Sequence, residues 1–420
     1  MALKSKQVQE FKETEIGKIP VDWEVSSLND LCDSISVTHS FEKDTIIFLN
    51  TRDIKSGRIL HNNYTSIEKL PGQAKKSIKK NDILFSEIRP KNKRHAFVDF
   101  QAQDFVVSTK LLVIRANDRI HPNFLYLFLT NSKTIDYLQM IAETRSGTFP
   151  QITFDEIKLL KIPLPTIEEQ IRISDLISLM SNGINNLQKQ NNILEQISQS
   201  IFQSWFVDFD GVMEFDDSEL GKIPKGWIIK QLSDVTRIVD CLHITKPPEI
   251  ENDAYLLQTF NIVEQGLINL SKKFHVSDED YKFWTKNITV EEGDCIISNA
   301  GRVGAVAQIP YWLKGGIGRN LTAIRSEKIS PTYLFEYLFS KSGQQEIKFQ
   351  TDNATVFNTL NVRGIKKLRI LIPDNHKILK YENIGRPLRK SIEVNALRIQ
   401  DLTKTRDALL PKLMSGEIRV

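Results

Sequence analysis

The sequence predicts an α/β (α+β) chain of two pseudo-repeated globules, each followed by a long helix, with the two helices packed on each other. Three observations predict it. First, ETEIGKIPVDWEVSSLNDLCD from Glu13 returns as DSELGKIPKGWIIKQLSDVTR from Asp217, with identities at Glu15/Glu219, Gly17/Gly221, Lys18/Lys222, Ile19/Ile223, Pro20/Pro224, Trp23/Trp227, Leu28/Leu232 and Asp30/Asp234. Unrelated sequence would share about one residue over such a window. Second, residues 184–206 carry Ile184, Leu187, Leu194, Ile201 and Trp205 at the alternating spacing of a coiled-coil seam, which Asn191 and Ser198 interrupt. Third, that spacing recurs within Leu388–Met414 as Ile392, Asn395, Ile399, Leu402, Leu409 and Leu413. A helix with one apolar stripe buries it against something, and each stripe is a partner for the other.

Taken in order, residues 1–12 read as a polar arm, a short helix or a frayed end. The Gly-Lys-Ile-Pro box makes a turn, and its Trp is a large apolar plug that marks where each repeat starts. Short apolar runs at Ile46–Leu49, Ile83–Phe85, Phe105–Val107 and Leu111–Ile114 read as strands. His121–Leu138 reads as a helix with Pro122 near its start, Gly147–Thr153 as a loop, and Ile157–Pro165 as a strand. The second half repeats the order. Strands are expected at Leu256–Gln258, Cys295–Ser298 and Leu321–Ile324, a helix at Pro331–Phe339, a loop at Thr355–Asn361 and a strand at Lys366–Pro373. The stretches from Leu31 to Lys80 and from Val235 to Glu291 do not align. Gly385-Arg386-Pro387 is expected to break or kink the second helix.

Composition narrows the function. The chain has 420 residues, 40% hydrophobic and 26% charged, as in soluble globular proteins of two or three domains. No apolar run reaches the roughly 18–20 residues of a membrane span, and the start lacks the apolar core of a secretory signal. Three widely spaced cysteines fit a reducing, cytoplasmic setting. There is no GxxxxGK[ST] phosphate loop, no Asn-Pro-Pro-aromatic run, and no His-x-x-His or Cys-x-x-Cys pair. Catalytic residues, a metal site and a cofactor in this chain are therefore not expected. Net charge is only +4, so any nucleic-acid surface must be local. Candidate cations in the first globule are Lys75, Lys76, Arg89, Lys91, Lys93 and Arg94; in the second they are Lys272, Lys273, Arg302 and Arg319, with Asn320 beside the last. Such loops can meet phosphates or a guanine edge, or can simply be solvated basic loops. Gly147–Gln151 can likewise face DNA or a partner, or be an ordinary turn. A helix of 25–40 residues spans roughly 40–60 Å, against about 34 Å for one turn of B-DNA, which permits a two-site DNA reader.

The paired boxes EIGKIPVDW and ELGKIPKGW, with IPLPTIEEQ, SIFQSWFVDFD and LLPKLMSGEI, resemble the specificity (S) subunit of type I restriction–modification systems from about Glu13 to Glu417. The resemblance implies an N-terminal arm (1–12), a target recognition domain (13–165), a spacer helix (166–206), a linker (207–216), a second recognition domain (217–373) and a second spacer helix (374–416). It implies an antiparallel coiled coil that acts as a ruler, a bipartite asymmetric double-stranded DNA target and no catalysis in this chain. Two adenine methyltransferase subunits would dock on the helices, and restriction subunits would join; S-adenosylmethionine, ATP and Mg would belong to those partners. The sequence departs from the pattern at Asp374-Asn375-His376-Lys377, which stands where the first half has Thr166-Ile167-Glu168-Glu169. Ser86-Glu87-Ile88-Arg89-Pro90 also stands in the first half at the position that corresponds to the Gly-rich loop Ser298–Gly304 of the second. Alternatives are the specificity part of a fused or phage-defence system, and a coiled-coil scaffold that binds proteins without reading DNA.

Overall fold

The computed structural model describes residues 10–145, 148–351 and 358–420. The chain divides into two compact units, Met1–Gly183 with Leu402–Val420, and Ile184–Asp401. The two long helices, Ile167–Phe206 and Asn375–Met414, each contribute to both.

In the first unit the Gly-Lys-Ile-Pro box is one arm of a hairpin, Phe11–Thr14 with Gly17–Pro20. Residues 11 and 12 are thus strand, not a frayed or helical arm; residues 1–9 lie outside the described residues. Glu24–Ser27 then pairs antiparallel with Lys161–Leu164. The entry to the globule is zipped to its exit, which explains why a lead-in box and an Ile-Pro-Leu-Pro ending accompany each other. Between them, Leu111–Ala116 and Ile83–Ser86 are central in an antiparallel sheet with His95–Phe97 and Cys32–Ser34 at its edges. Alternation along these strands serves two cores. Ile83, Phe85, Leu112 and Ile114 face helix residues Phe124, Leu125 and Leu138. Leu84, Leu111 and Val113 face Ile47, Leu49, Phe105 and Val107 of a second sheet. Burial on both faces is why Leu111–Ile114 is a continuous apolar run.

The second unit repeats the plan through the stretches that do not align. Its first sheet has the order Thr236–Asp240, Leu321–Ser326, Cys295–Ser298, Val306–Gln308, the counterpart of the first unit's sheet, and Ile228–Gln231 zips to Arg369–Ile372. A buried ion pair recurs as well: Arg115 forks onto Asp82 at 2.7 and 2.8 Å, and Arg325 onto Asp294 at 2.8 and 2.6 Å.

Several boundaries differ from the sequence expectation, each for a local reason. The helix expected at His121–Leu138 is two, Pro122–Thr130 and Ser132–Arg145, because Asn131 is extended and its side chain accepts the Thr134 N–H. The strands expected from Ile157 and Lys366 begin later, after short helices Phe154–Ile157 and Val362–Lys367. Thr153 with Glu156 and Asn361 cap those turns. Residues 352–357 lie outside the described residues, so only the end of the loop expected at Thr355–Asn361 is seen. No break occurs at Gly385-Arg386-Pro387; the helix is one element. A mid-helix Pro costs about 3 kcal/mol, which apolar burial of Tyr381 and Ile392 on either side offsets.

Within each unit the long helices run antiparallel. In the first, Ile173 and Ile177 share a core with Leu409, Leu413 and Met414, and Leu402 lies against Gly183. In the second, Asn191 Nδ2 donates to the Ile392 carbonyl at 3.1 Å, and Asn395 Nδ2 to Asn191 Oδ1 at 2.9 Å. The polar interruptions of the seam are therefore internal hydrogen-bonding sites: Asn191 pairs with Asn395, and Ser198 donates to buried Glu336. The most buried aromatic residues at the end of the first helix are Phe202 and Phe206, with Trp205 only half-buried.

Candidate nucleic-acid interface

At one end of the first unit several loops converge. Strands Thr45–Leu49 and Phe105–Ser108 are parallel, so their C-terminal ends lie together. The 3-10 turn Thr51–Asp53 follows the first strand, and the hairpin Ile54–Ile59 follows the turn. Ser56 and Gly57 donate to the carbonyls of Lys93 and His95 at 2.7 and 2.9 Å, which sets the basic loop 89–94 beside the hairpin. That loop is shaped, not slack. Arg89 and Lys93 hold left-handed φ of 46° and 52° around the turn Pro90–Asn92, and Lys91 N–H donates to Gln139 Oε1 at 3.0 Å. Arg89 N–H donates to Pro150 O at 3.1 Å and Ile88 bridges Gln151, so the segment ending at Gln151 joins the same surface. Gly147 lies outside the described residues.

The candidate cations differ in availability. Lys75, Arg89 and Lys93 are exposed and Arg94 half-buried, and among the described residues none has a carboxylate partner. Lys91 lies 3.6 Å from Asp136. Lys76 is half-buried and donates to the Leu111 carbonyl at 2.8 Å; burial pulls its pKa below the usual range.

In the second unit, parallel strands Tyr255–Leu257 and Gly316–Ile317 create the matching end. The turn Thr259–Asn261 and a hairpin closed by an Ile262–Ile268 bridge follow. Asn299 N–H donates to Asn320 O, and Leu360 N–H to Asn299 O, both at 2.9 Å. The glycine-flanked loops Ser298–Gly304 and Gly315–Asn320, separate in sequence, thus form one surface. Arg319 and Asn320 are exposed on it. Arg302 donates Nη1 to the Ile262 carbonyl at 2.8 Å and lines a cleft of about 390 Å³ with Asn192 and Glu195. Lys272 and Lys273 sit over Phe260 and Tyr255, with Nζ 5.1 and 4.7 Å from the ring centroids. Sequence reading missed Arg52, Phe260 and Lys246, whose Nζ is 3.5 Å from the Phe274 centroid. Among the described residues one trio has metal-ligand spacing, Asp240, Cys241 and His243, with ligand atoms within 4.8 Å. Its Asp240 oxygens already accept from Thr322 Oγ1 at 2.8 Å and contact His243 Nε2 at 2.8 Å.

His95 lies beneath the first basic loop, its Nδ1 3.0 Å from Tyr126 Oη. Burial, and secondarily Lys93, push its pKa down from 6.5 to about 4. Below pH 6.5 the unfolded chain binds a proton that the folded chain refuses until about pH 4. Stability is therefore lost as pH falls through that window, by up to ~3 kcal/mol. Thermal melts at pH 7 and 5 should show a larger drop for wild type than for His95→Gln; equal drops would refute the assignment.

Residues 20–196 match the family profile described as the type I restriction modification DNA specificity domain. The chain is 31% identical to the HindI specificity subunit of Haemophilus influenzae over 94% of its own length and 100% of the relative's. The chain belongs to the type I restriction–modification specificity subunits. It is also 28% identical to the MjaIX specificity subunit of Methanocaldococcus jannaschii, over 98% of this chain and 97% of that one. The crystal structure of the S subunit from M. genitalium has the same fold, with a TM-score of 0.59 at 16% identity over 98% of both chains. As a specificity subunit the chain is non-catalytic and carries no cofactor; it determines DNA target recognition within a type I assembly. Among the described residues no helix is long and apolar enough to cross a membrane.

Proposed function

We propose that this specificity subunit reads a bipartite, asymmetric DNA sequence, one half through the loop surface of each unit, and holds two adenine methyltransferase subunits. Restriction subunits join the same cytoplasmic assembly, and S-adenosylmethionine, ATP and Mg act in the partners. The observation that carries the reading is the duplicated frame: the same strand order in the four-stranded sheet of each unit and a parallel strand pair beside it, ending in surfaces of different chemistry. Lys75, Arg89, Lys93 and Arg94 on one surface, and Lys272, Arg319 and Asn320 on the other, suit phosphate and base contacts. Lys76, Lys91 and Arg302, which have polar partners, and Lys273, half-buried against Tyr255, suit a supporting role. The long helices support docking. Ile193 and Ile197 are 55% and 42% exposed, and Leu379 is 63% exposed, although each lies in a helix that is half core.

The test is a methylome. The chain is expressed with its methyltransferase in a host lacking adenine methylation, and N6-methyladenine is mapped. A split motif that disappears without this chain is expected. Deleting the heptad Asn185–Asn191 should change the unspecified spacer or abolish assembly; an unchanged spacer would count against the ruler. A stable complex that leaves no mark would favour a protein-binding scaffold.

A further inference from the structure

We infer that Arg52 and Phe260 are matched base-reading residues, Arg52 for a guanine edge in one half-site and Phe260 for a thymine methyl in the other. The inference rests on the two-surface reading above and names the residues that would discriminate.

Each unit follows its parallel strand with a four-residue capped turn, Asn50-Thr51-Arg52-Asp53 and Gln258-Thr259-Phe260-Asn261. Both turns are closed from within. Asn50 N–H donates to Asp53 Oδ2 at 2.8 Å, and Gln258 N–H to Asn261 Oδ1 at 2.8 Å. Asn261, 1% exposed, also donates Nδ2 to the carbonyls of Asn269 and Lys272, each at 2.8 Å. Glycine suits position 318 beside the second turn, because a Cβ there would lie 2.9 Å from the Leu257 carbonyl oxygen. Such a frame holds its third residue outward at low entropic cost on binding.

Asp53 becomes Asn261 with the same closing bond, while the outward third residue changes from a cation to an aromatic ring. The Arg52 side chain is 81% exposed, and its Nε is 3.7 Å from Asp53 Oδ1, too far for a hydrogen bond. Asp53 Oδ2 is already engaged by Asn50. That loose ion pair leaves the exposed guanidinium fork able to turn outward and bind O6 and N7 of guanine together. Phe260 is 42% exposed, a large aromatic ring with Lys272 beside it. It has no hydrogen-bonding group, so its discrimination must come from apolar contact, for which the thymine methyl is the major-groove partner. The lysine can neutralise a nearby phosphate while the ring meets the base. A shared scaffold with a changed reading residue is what two halves of an asymmetric target require.

The experiment uses the purified complex of this chain with its methyltransferase and a set of duplexes, each with one base pair of the target replaced. Wild type should discriminate about 10–100-fold at each read position. Arg52→Ala and Arg52→Lys should collapse that ratio at one G·C pair in one half-site and leave the other positions unchanged; lysine keeps the charge but not the fork. Phe260→Ala and Phe260→Leu should weaken discrimination at one T·A pair in the other half. Preference profiles that superimpose on wild type would overturn the inference while leaving the proposed function intact. So would an equal loss of affinity on every duplex. A wild-type complex that prefers no split sequence would overturn the proposed function itself, and this inference with it.

Discussion

Alanine at Asp82 should lower the stability of the first unit by about 3–5 kcal/mol, the cost of removing one partner of a buried ion pair. The carboxylate is fully buried, accepts both arms of Arg115, and also accepts the Lys79 N–H at 2.8 Å. It fastens the turn before strand Ile83–Ser86 to the neighbouring strand Leu111–Ala116, so its loss loosens the sheet that both cores share. Asp294→Ala should cost less although the geometry repeats. Arg325 keeps Glu291 at 3.3 Å and donates to the Thr289 carbonyl at 2.9 Å, so it is not stranded. Urea denaturation of both variants measures the difference; a larger loss for Asp294→Ala would contradict the assignment.

Trp23→Ala should cost about 3–5 kcal/mol, as for other large-to-small changes at buried aromatic sites. The ring is 1% exposed and its Nε1 donates to Glu169 Oε2 at 3.1 Å. Glu169 in turn accepts Arg419 Nε at 2.8 Å, and Arg419 forks onto Asp22 at 2.9 and 2.8 Å, holding that carboxyl below its usual pKa range. Gly416 permits this closure: its φ is +72°, and a Cβ would lie 2.5 Å from Pro20 Cγ. Trp227 fills the same place in the second unit with aromatic neighbours instead, Phe206 and Phe209 at 6.0 and 5.8 Å. Lys377 stands where the repeat would put Glu169, and it lies over Trp205. Trp23→Phe, which removes the donor but keeps most of the ring, should therefore destabilise more than Trp227→Phe. Thermal melts that rank them the other way would show that the buried Glu169–Arg419 pair does not depend on Trp23.

Much of this organisation was legible in the sequence because it is written in local periodicity. The duplicated box, the helical seams and the doubly buried strands each leave a pattern within a few residues of themselves, and together they carry the family resemblance. The helix Pro331–Phe339 and the strand Cys295–Ser298 needed nothing more. The unaligned middles of the globules were different. Their strands pair through backbone groups that all sequences share, so Thr45–Leu49 and Tyr255–Leu257 occupy equivalent places with little likeness. The one local trace, an amide residue, Thr, a variable residue and Asp or Asn, is too short to stand out.

The charged residues divide in the same way. Sequence alone determined that cations cluster near residues 89–94, 272–273 and 302–319. Only the tertiary structure decided that Lys76 and Arg302 donate to carbonyls while Arg89 and Arg319 remain exposed. A lysine reads identically in the chain whether it is neutralised or free, since its partner is set by long-range packing. The two long helices, their duplication and their family were properties of the chain; the zipped entry and exit of each globule, and the single surface made from separate loops, were properties of the fold.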